Sequence, residues 1–146
     1  NFLNEKGKKI IFDIDDYWRL PKSHAFFSQY EKIKMNEVME ETKRQLAEYF
    51  ERKRRRFTMP LLRPGTPFQS RVWDALLEIP YGETRSYAEI ASQIGMPDAV
   101  RAVARANGDN RIAVVIPCHR VIGSDGKLTG YGGGLWRKKR LLELES

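Results

Sequence analysis

The second half of this sequence contains two signatures of a helix start, and they fix where its regular structure can begin. Thr66-Pro67-Phe68-Gln69 combines a capping threonine, a proline suited to the first helical position and a glutamine that can complete a capping box. Ser86-Tyr87-Ala88-Glu89 places a capping serine and a glutamate at the same spacing of three residues. Apolar residues at helical spacing follow both, so we predict one helix that ends near Ile79 and another that ends near Ile94.

A third helix is predicted directly afterwards. Gly95-Met96 forms a tight turn, Pro97 starts the helix, and the helix reaches about Asn107. Two short helices joined by a glycine-containing turn are typical of a helix-turn-helix, although two packed helices without a DNA-binding role give the same pattern.

The third helix has two distinct faces. Arg101 and Arg105 lie four residues apart and are expected to be exposed on one face. Small alanines at positions 99, 102 and 106 keep the helix thin, so outward arginines can approach a groove closely. The residues expected to face the core are Val100, Val103 and Ala104.

A break at Leu62-Arg63-Pro64-Gly65 interrupts the periodicity on both sides and suggests two domains, residues 1–63 and 64–146. In the first domain, the sequence predicts a strand near Ile10 to Ile14, a helix from about 35 to 53 and a short extended segment over residues 57–62. In the second, it predicts a strand over residues 112–116, a turn at 124–127, a glycine-rich loop at 130–134 and a final helix over about 135–144. The fold class is therefore α+β, with a small strand-and-helix N-terminal domain and a mostly helical C-terminal domain.

The composition narrows the function class. The chain has 146 residues and a formal net charge of +7, which suits a protein that binds a polyanion but is equally compatible with ordinary solubility. No apolar run is long enough to span a membrane, and the first residues lack a secretory signal. We interpret the basic run at residues 52–56 as the solvated end of a helix, and a contact with phosphate is the second interpretation.

The only cysteine, Cys118, is the candidate for chemistry. It lies in Ile116-Pro117-Cys118-His119-Arg120 and has no second cysteine for a disulfide or a thiolate metal cage. A thiol attacks as its thiolate, so an adjacent histidine and a basic chain favour a nucleophile over a buried structural cysteine. His119 needs an orienting group of its own, and the local sequence does not select one of the acids for that role.

Residues 66 to 145 resemble the O6-alkylguanine-DNA alkyltransferases, also called methylated-DNA–protein-cysteine methyltransferases. The resemblance rests on ordered motifs at one spacing, and it covers essentially the whole C-terminal half. These motifs are Thr66-Pro67-Phe68-Gln69, Ile79-Pro80-Tyr81-Gly82-Glu83-Thr84, Ser86-Tyr87, Arg101-Ala102-Val103, Asn107, Asn110, Ile116-Pro117-Cys118-His119-Arg120-Val121-Ile122-Gly123, Gly130-Tyr131-Gly132-Gly133-Gly134 and Leu141-Leu142.

The resemblance implies direct DNA repair. The alkyl group of O6-alkylguanine in duplex DNA, with O4-alkylthymine as a further candidate, moves irreversibly to Cys118 after the nucleotide is flipped out by a winged-helix-like helix-turn-helix. It implies no cofactor and no metal, a monomer, double-stranded DNA with alkylated guanine as partner, no membrane, and a cytoplasmic, nucleoid-associated location. Residues 1–63 would be an incomplete, ribonuclease-H-like remnant domain.

The resemblance also assigns roles to residues. Cys118 is the acceptor, His119 the base acting through a water, and Glu145 the group that orients His119, the alternative for Glu145 being a frayed chain end. Asn110 braces the turn and the nucleophile, and Tyr87 donates to the base. The expected DNA contacts are Tyr87, Arg101, Ala102, Arg105 and Arg120. The expected pocket residues are Pro117, Tyr131, Gly132 and Gly133.

Two other functions remain open from the sequence. The first is a DNA-binding regulator whose cysteine is structural, and the second is a redox thiol enzyme, for which the chain has no resolving cysteine. The preferred alkyl size also stays open, because Gly132 stands where some relatives carry serine.

Overall fold

The computed structural model describes residues 35–146, with side chains from residue 38 onward. The strand predicted near Ile10 to Ile14 lies outside the described residues. The chain divides into two compact units, Asn1–Arg63 and Pro64–Ser146. No helix in the described range is long and apolar enough to cross a membrane.

The described part of the first unit is one helix and the segment that returns along it. Helix α1 spans Met35–Phe50, so it ends earlier than predicted. Arg52 adopts a left-handed φ of 60°, which stops the helix. The segment over residues 57–62, predicted to be extended, forms no strand, and Thr58 N donates to the buried side chain of Gln45 at 2.9 Å.

The second unit begins with helix α2, Pro67–Leu77, and its predicted capping box is confirmed. Gln69 N donates to Thr66 Oγ1 at 3.2 Å, and Thr66 N donates to Gln69 Oε1 at 2.9 Å. The apolar face of α2 is buried, and Trp73 Nε1 donates to the Ala106 carbonyl at 2.8 Å. This bond ties α2 to the helix that carries the exposed arginines.

Helices α3, Tyr87–Gln93, and α4, Val100–Gly108, form the predicted pair. The Ser86 capping box is present, and Gly95 supplies the left-handed turn with a φ of 71°. A short 3₁₀ turn over Pro97–Ala99 leads into α4, which therefore starts slightly later than predicted. Arg101 and Arg105 are exposed, and Val103 is fully buried, as the helical pattern predicts.

A two-stranded parallel ladder connects α3 to the cysteine segment. Strand β1, Arg85–Ser86, pairs with β2, Val121–Ile122, with Arg85 opposite Val121. The ladder places the start of α3 beside the residues that follow Cys118. Helix α5, Leu135–Glu145, completes the chain, so the described part is a mainly helical mixed fold with one small sheet.

The strand predicted over residues 112–116 is wrong. The segment is a tight turn in which Ile116 N donates back to the Ile112 carbonyl at 2.9 Å, and Val114 has a φ of 73°. The Asn110 side chain accepts from Ile112 N at 2.9 Å, replacing a bond that a partner strand would supply. Val115 and Ile116 are buried, so the apolar run reports burial rather than extended structure.

Candidate active site

Cys118 lies on a 3₁₀ turn, Cys118–Arg120, between the 112–116 turn and β2. Its side chain is buried, and Asn110 Nδ2 donates to Cys118 Sγ at 3.0 Å and to the Ile116 carbonyl at 2.9 Å. Asn110 therefore holds both the turn and the sulfur with one amide. Pro117 immediately precedes the turn, and its carbonyl accepts from Arg120 N at 2.9 Å.

The thiol is not a thiolate at rest. Burial raises the pKa of Cys118, and the hydrogen bond from Asn110 and the positive charge of Lys138 oppose that rise. A hydrogen bond to sulfur and a nearby cation both favour the anion. At neutral pH the sulfur therefore keeps its proton until a base removes it.

His119 is suited to be that base. It is fully buried, and its Nε2 lies 2.9 Å from Glu145 Oε1. Burial lowers the pKa of His119 more than the hydrogen bond to Glu145 raises it, so the ring is neutral. A carboxylate only accepts hydrogen bonds, which assigns the proton to Nε2 and leaves the lone pair on Nδ1. Nδ1 is buried and has no hydrogen-bond partner among the described residues.

Glu145 is anchored, although it is the last residue but one. Its side chain is buried and accepts from Arg120 Nε at 2.8 Å, from Arg120 Nη2 at 2.9 Å and from Gly82 N at 3.4 Å. A frayed end is therefore excluded, because the carboxylate is held from two segments far away in sequence.

The expectation that Arg120 contacts DNA is corrected by its burial. Arg120 is 6% exposed, and its guanidinium forms a two-pronged ion pair with Glu145 and donates to the Ile79 carbonyl at 2.6 Å. It also lies 5.8 Å from the centre of the Tyr81 ring. Moving it to a phosphate would leave Glu145 without its cation, which costs several kcal/mol in a buried site, about 3 to 5 in typical cases. Arg120 instead fixes the carboxylate that faces His119.

Two tyrosines and the glycine-rich loop lie next to the thiol. Tyr87 Oη donates to the Thr129 carbonyl at 3.1 Å, and burial raises its pKa. Burial and the nearby Cys118 raise the pKa of Tyr131 to about 12. Both phenols therefore remain proton donors at neutral pH. A Cβ on Gly133 would lie 2.9 Å from the Tyr131 ring, whereas a Cβ on Gly132 would meet nothing within 4 Å.

The other predicted DNA contacts lie on α4, outside the hydrogen-bond network of Cys118. Arg101, Ala102 and Arg105 are exposed, and the side chain of Arg101 makes no hydrogen bond or ion pair with any residue in the described range. Their helix buries Val103 on its opposite side.

Sequence reasoning missed two residues of this site. Gly82 has a φ of 80°, and a Cβ there would lie 2.9 Å from the Glu145 carbonyl oxygen. Lys138 is fully buried and donates to the carbonyls of Val121 and Thr129, both at 2.5 Å. The signal for Lys138 was its spacing, because it shares a helical face with Leu141 and Glu145 at i, i+3 and i+7.

Together, these features define a protein with a single buried thiol, a buried histidine–carboxylate pair that begins at the next residue and a pair of helices with exposed arginines. Residues 67–146 match the family described as 6-O-methylguanine DNA methyltransferase, DNA binding domain. The chain belongs to this family.

Named relatives agree with that assignment. A methylated-DNA–protein-cysteine methyltransferase of Mycobacterium tuberculosis strain H37Rv is 64% identical over 101 residues, which are 69% of this chain and 61% of the relative. One from Methanosarcina acetivorans is 48% identical over 145 residues, 99% of this chain and 82% of the relative. The chain thus spans about three fifths of the mycobacterial relatives (61%) and most of the archaeal one.

Solved structures of two DNA-bound proteins are similar to this chain. The Mycobacterium tuberculosis OGT in complex with DNA has a TM-score of 0.72 and 61% identity, covering 73% of this chain and 66% of that one. The S. pombe Atl1 bound to damaged DNA containing O6-carboxymethylguanine has a TM-score of 0.51 and 37% identity, covering 57% of this chain and 79% of that one.

Proposed function

We propose that this chain repairs alkylated DNA by moving the alkyl group from O6-alkylguanine in duplex DNA onto Cys118. The observation that carries this proposal is the arrangement of Asn110, Cys118, His119 and Glu145 in a chain of this family. Ordinary nucleophiles do not cleave the S–C bond of a thioether, so each protein molecule would act once. O4-alkylthymine is a further candidate substrate.

The proton and bond changes balance without a cofactor. The Cys118 proton moves to His119 Nδ1 through one water, and the sulfur attacks the alkyl carbon. The new S–C bond forms as the bond from that carbon to the guanine oxygen breaks. The guanine anion takes a proton from a donor such as Tyr87, which is reprotonated through solvent from the imidazolium. Glu145 stabilises the imidazolium while it exists.

We propose that DNA is bound by α3 and α4 as a winged-helix-like helix-turn-helix. The exposed face of α4, with Arg101, Ala102 and Arg105, supports this role, because outward arginines are available to phosphates and to the base stack. Arg101 would fill the gap left by the flipped nucleotide. Flipping costs a few kcal/mol, and lesions that pair weakly lower that cost.

The flipped base would be held under the glycine-rich loop. Pro117, Tyr131, Gly132 and Gly133 would form its pocket, and the Tyr131 phenol can donate to the departing base. We also keep the expectations of a monomer, a cytoplasmic, nucleoid-associated location and a ribonuclease-H-like domain within residues 1–63. The similarity to the archaeal relative extends over residues 1–63 as well.

The test is the intact mass of the protein after incubation with a duplex that carries one O6-methylguanine. We expect a gain of one methyl group in place of one hydrogen, located on the Cys118 peptide, and none with Cys118→Ser or with undamaged duplex. Binding of the damaged duplex without any mass gain would favour the DNA-binding regulator. Consumption of peroxide without DNA would favour the redox enzyme instead.

A further inference from the structure

Lys138 is an unusual buried charge. Its side chain is fully buried on α5, and its Nζ donates to the Val121 carbonyl of β2 and to the Thr129 carbonyl. No carboxylate pairs with it in the part of the chain that the structure describes. Burying an ammonium without a counter-ion is costly, even where carbonyl oxygens accept its hydrogen bonds.

The groups around Lys138 are those of the reactive site. The Thr129 carbonyl accepts hydrogen bonds from both Lys138 Nζ and the Tyr87 hydroxyl. Nζ also lies 5.9 Å from the centre of the Tyr87 ring. The Val121 carbonyl, which accepts from Nζ, directly follows the 3₁₀ turn Cys118–Arg120, so the ammonium is bonded to the segment that carries the thiol. Its positive charge lowers the pKa of Cys118 and, to a smaller extent than burial does, that of His119. The titratable groups facing Lys138 are therefore Tyr87 from α3 and Cys118 and His119 from the turn.

We propose that Lys138 is a positioning residue of the transfer reaction whose buried ammonium stabilises the Cys118 thiolate as it forms. This inference deepens the proposed function and rests on Cys118 being the reacting thiol. The same two carbonyl bonds join β2 to the segment that enters the glycine-rich loop, so the charge is held in a fixed position.

The stabilisation of the Cys118 thiolate by Lys138 should depend on pH. Burial lowers the pKa of Lys138 to about 8, so the ammonium is mostly charged at neutral pH and is lost as the pH rises above that value. Above that pH, a higher pH favours the Cys118 thiolate, but Lys138 loses the positive charge that stabilises it. An arginine at this position would keep its charge throughout that range.

The experiment measures the rate at which iodoacetamide adds to Cys118 between about pH 6 and pH 10. The mass of the intact protein reports this rate, because Cys118 is the only cysteine. The variants are Lys138→Met and Lys138→Gln, which remove the charge, and Lys138→Arg, which keeps it. Lys139→Met is the matched control, since Lys139 is the next residue and its side chain is 69% exposed.

We expect the two neutral variants to raise the apparent pKa of Cys118 and to slow addition at neutral pH by about tenfold for each unit of that rise. Lys138→Arg should stay close to the original protein at neutral pH and react faster than it above pH 8, while Lys139→Met should change nothing. Thermal melts identify folded variants. If Met does not fold, Gln carries the test, and if neither folds, the arginine comparison above pH 8 does.

A neutral variant that titrates like Lys139→Met overturns the proposal, and so does an arginine variant that behaves like the neutral ones. Failure of the repair function has a different signature. In that case the original protein gains no methyl group from damaged duplex, whatever the iodoacetamide profiles of the lysine variants.

Discussion

Replacing Glu145 by glutamine tests whether the buried carboxylate holds the site together. Glu145→Gln keeps the shape of the side chain but removes its charge, which leaves the Arg120 guanidinium, 6% exposed, without a counter-ion. Arg120 donates to the carboxylate from Nε at 2.8 Å and from Nη2 at 2.9 Å, and the change breaks one of these two hydrogen bonds and weakens the other. Breaking a buried pair on one side costs about 3 to 5 kcal/mol. We expect a loss near the lower limit, because the amide oxygen still accepts.

The assay is urea unfolding at neutral pH, followed by tryptophan fluorescence. Glu143→Gln is the matched control, since Glu143 lies on the same helix, its side chain is 45% exposed and it pairs with Lys139 and Arg140 at the surface. Surface pairs contribute about 0 to 1 kcal/mol. If the two variants lose stability to within about 1 kcal/mol of each other, the buried pair of Glu145 and Arg120 stabilises the protein no more than a surface pair does. Glu145→Gln should also slow alkyl transfer, whereas Glu143→Gln should not.

Four further outcomes are expected. Asn110→Ala should raise the pKa of the reacting thiol and slow its reaction with iodoacetamide at neutral pH, because the bond to sulfur is lost; an unchanged pH profile would contradict this. Because His119 has a pKa below its ordinary value, the unfolded state takes up a proton first as the pH falls through about 6.5, and stability should fall by up to 1.4 kcal/mol per pH unit, measured by urea unfolding at several pH values. Gly82→Ala should destabilise more than Gly126→Ala, since both have a positive φ but only the first brings a Cβ to 2.9 Å from backbone; equal melting temperatures would refute the close approach. Arg101→Ala should reduce repair of a methylated duplex more than affinity for undamaged duplex, and a uniform loss of both would make Arg101 a phosphate contact.

The helix starts and the exposed arginines could be predicted from the sequence because their causes are local. The capping boxes at Thr66 and Ser86 join residues three positions apart, and the exposure of Arg101 and Arg105 follows from a helical repeat. Each of these features depends on residues within about one or two helical turns of each other. The role of Cys118 as the acceptor was implied instead by the family resemblance, whose motifs are spread over residues 66 to 145.

The tertiary structure decided which polar groups are buried and how closely their partners approach. Local spacing did not select a partner for His119, and only the resemblance implied Glu145, which meets it across 26 residues of sequence. Arg120, expected at the DNA, instead meets the Ile79 carbonyl across 41 residues. The run at 112–116 became a turn because the Asn110 side chain, and not a partner strand, receives its backbone N–H. An apolar or charged residue type specifies what it costs to bury, but only the folded chain supplies the partner that offsets this cost.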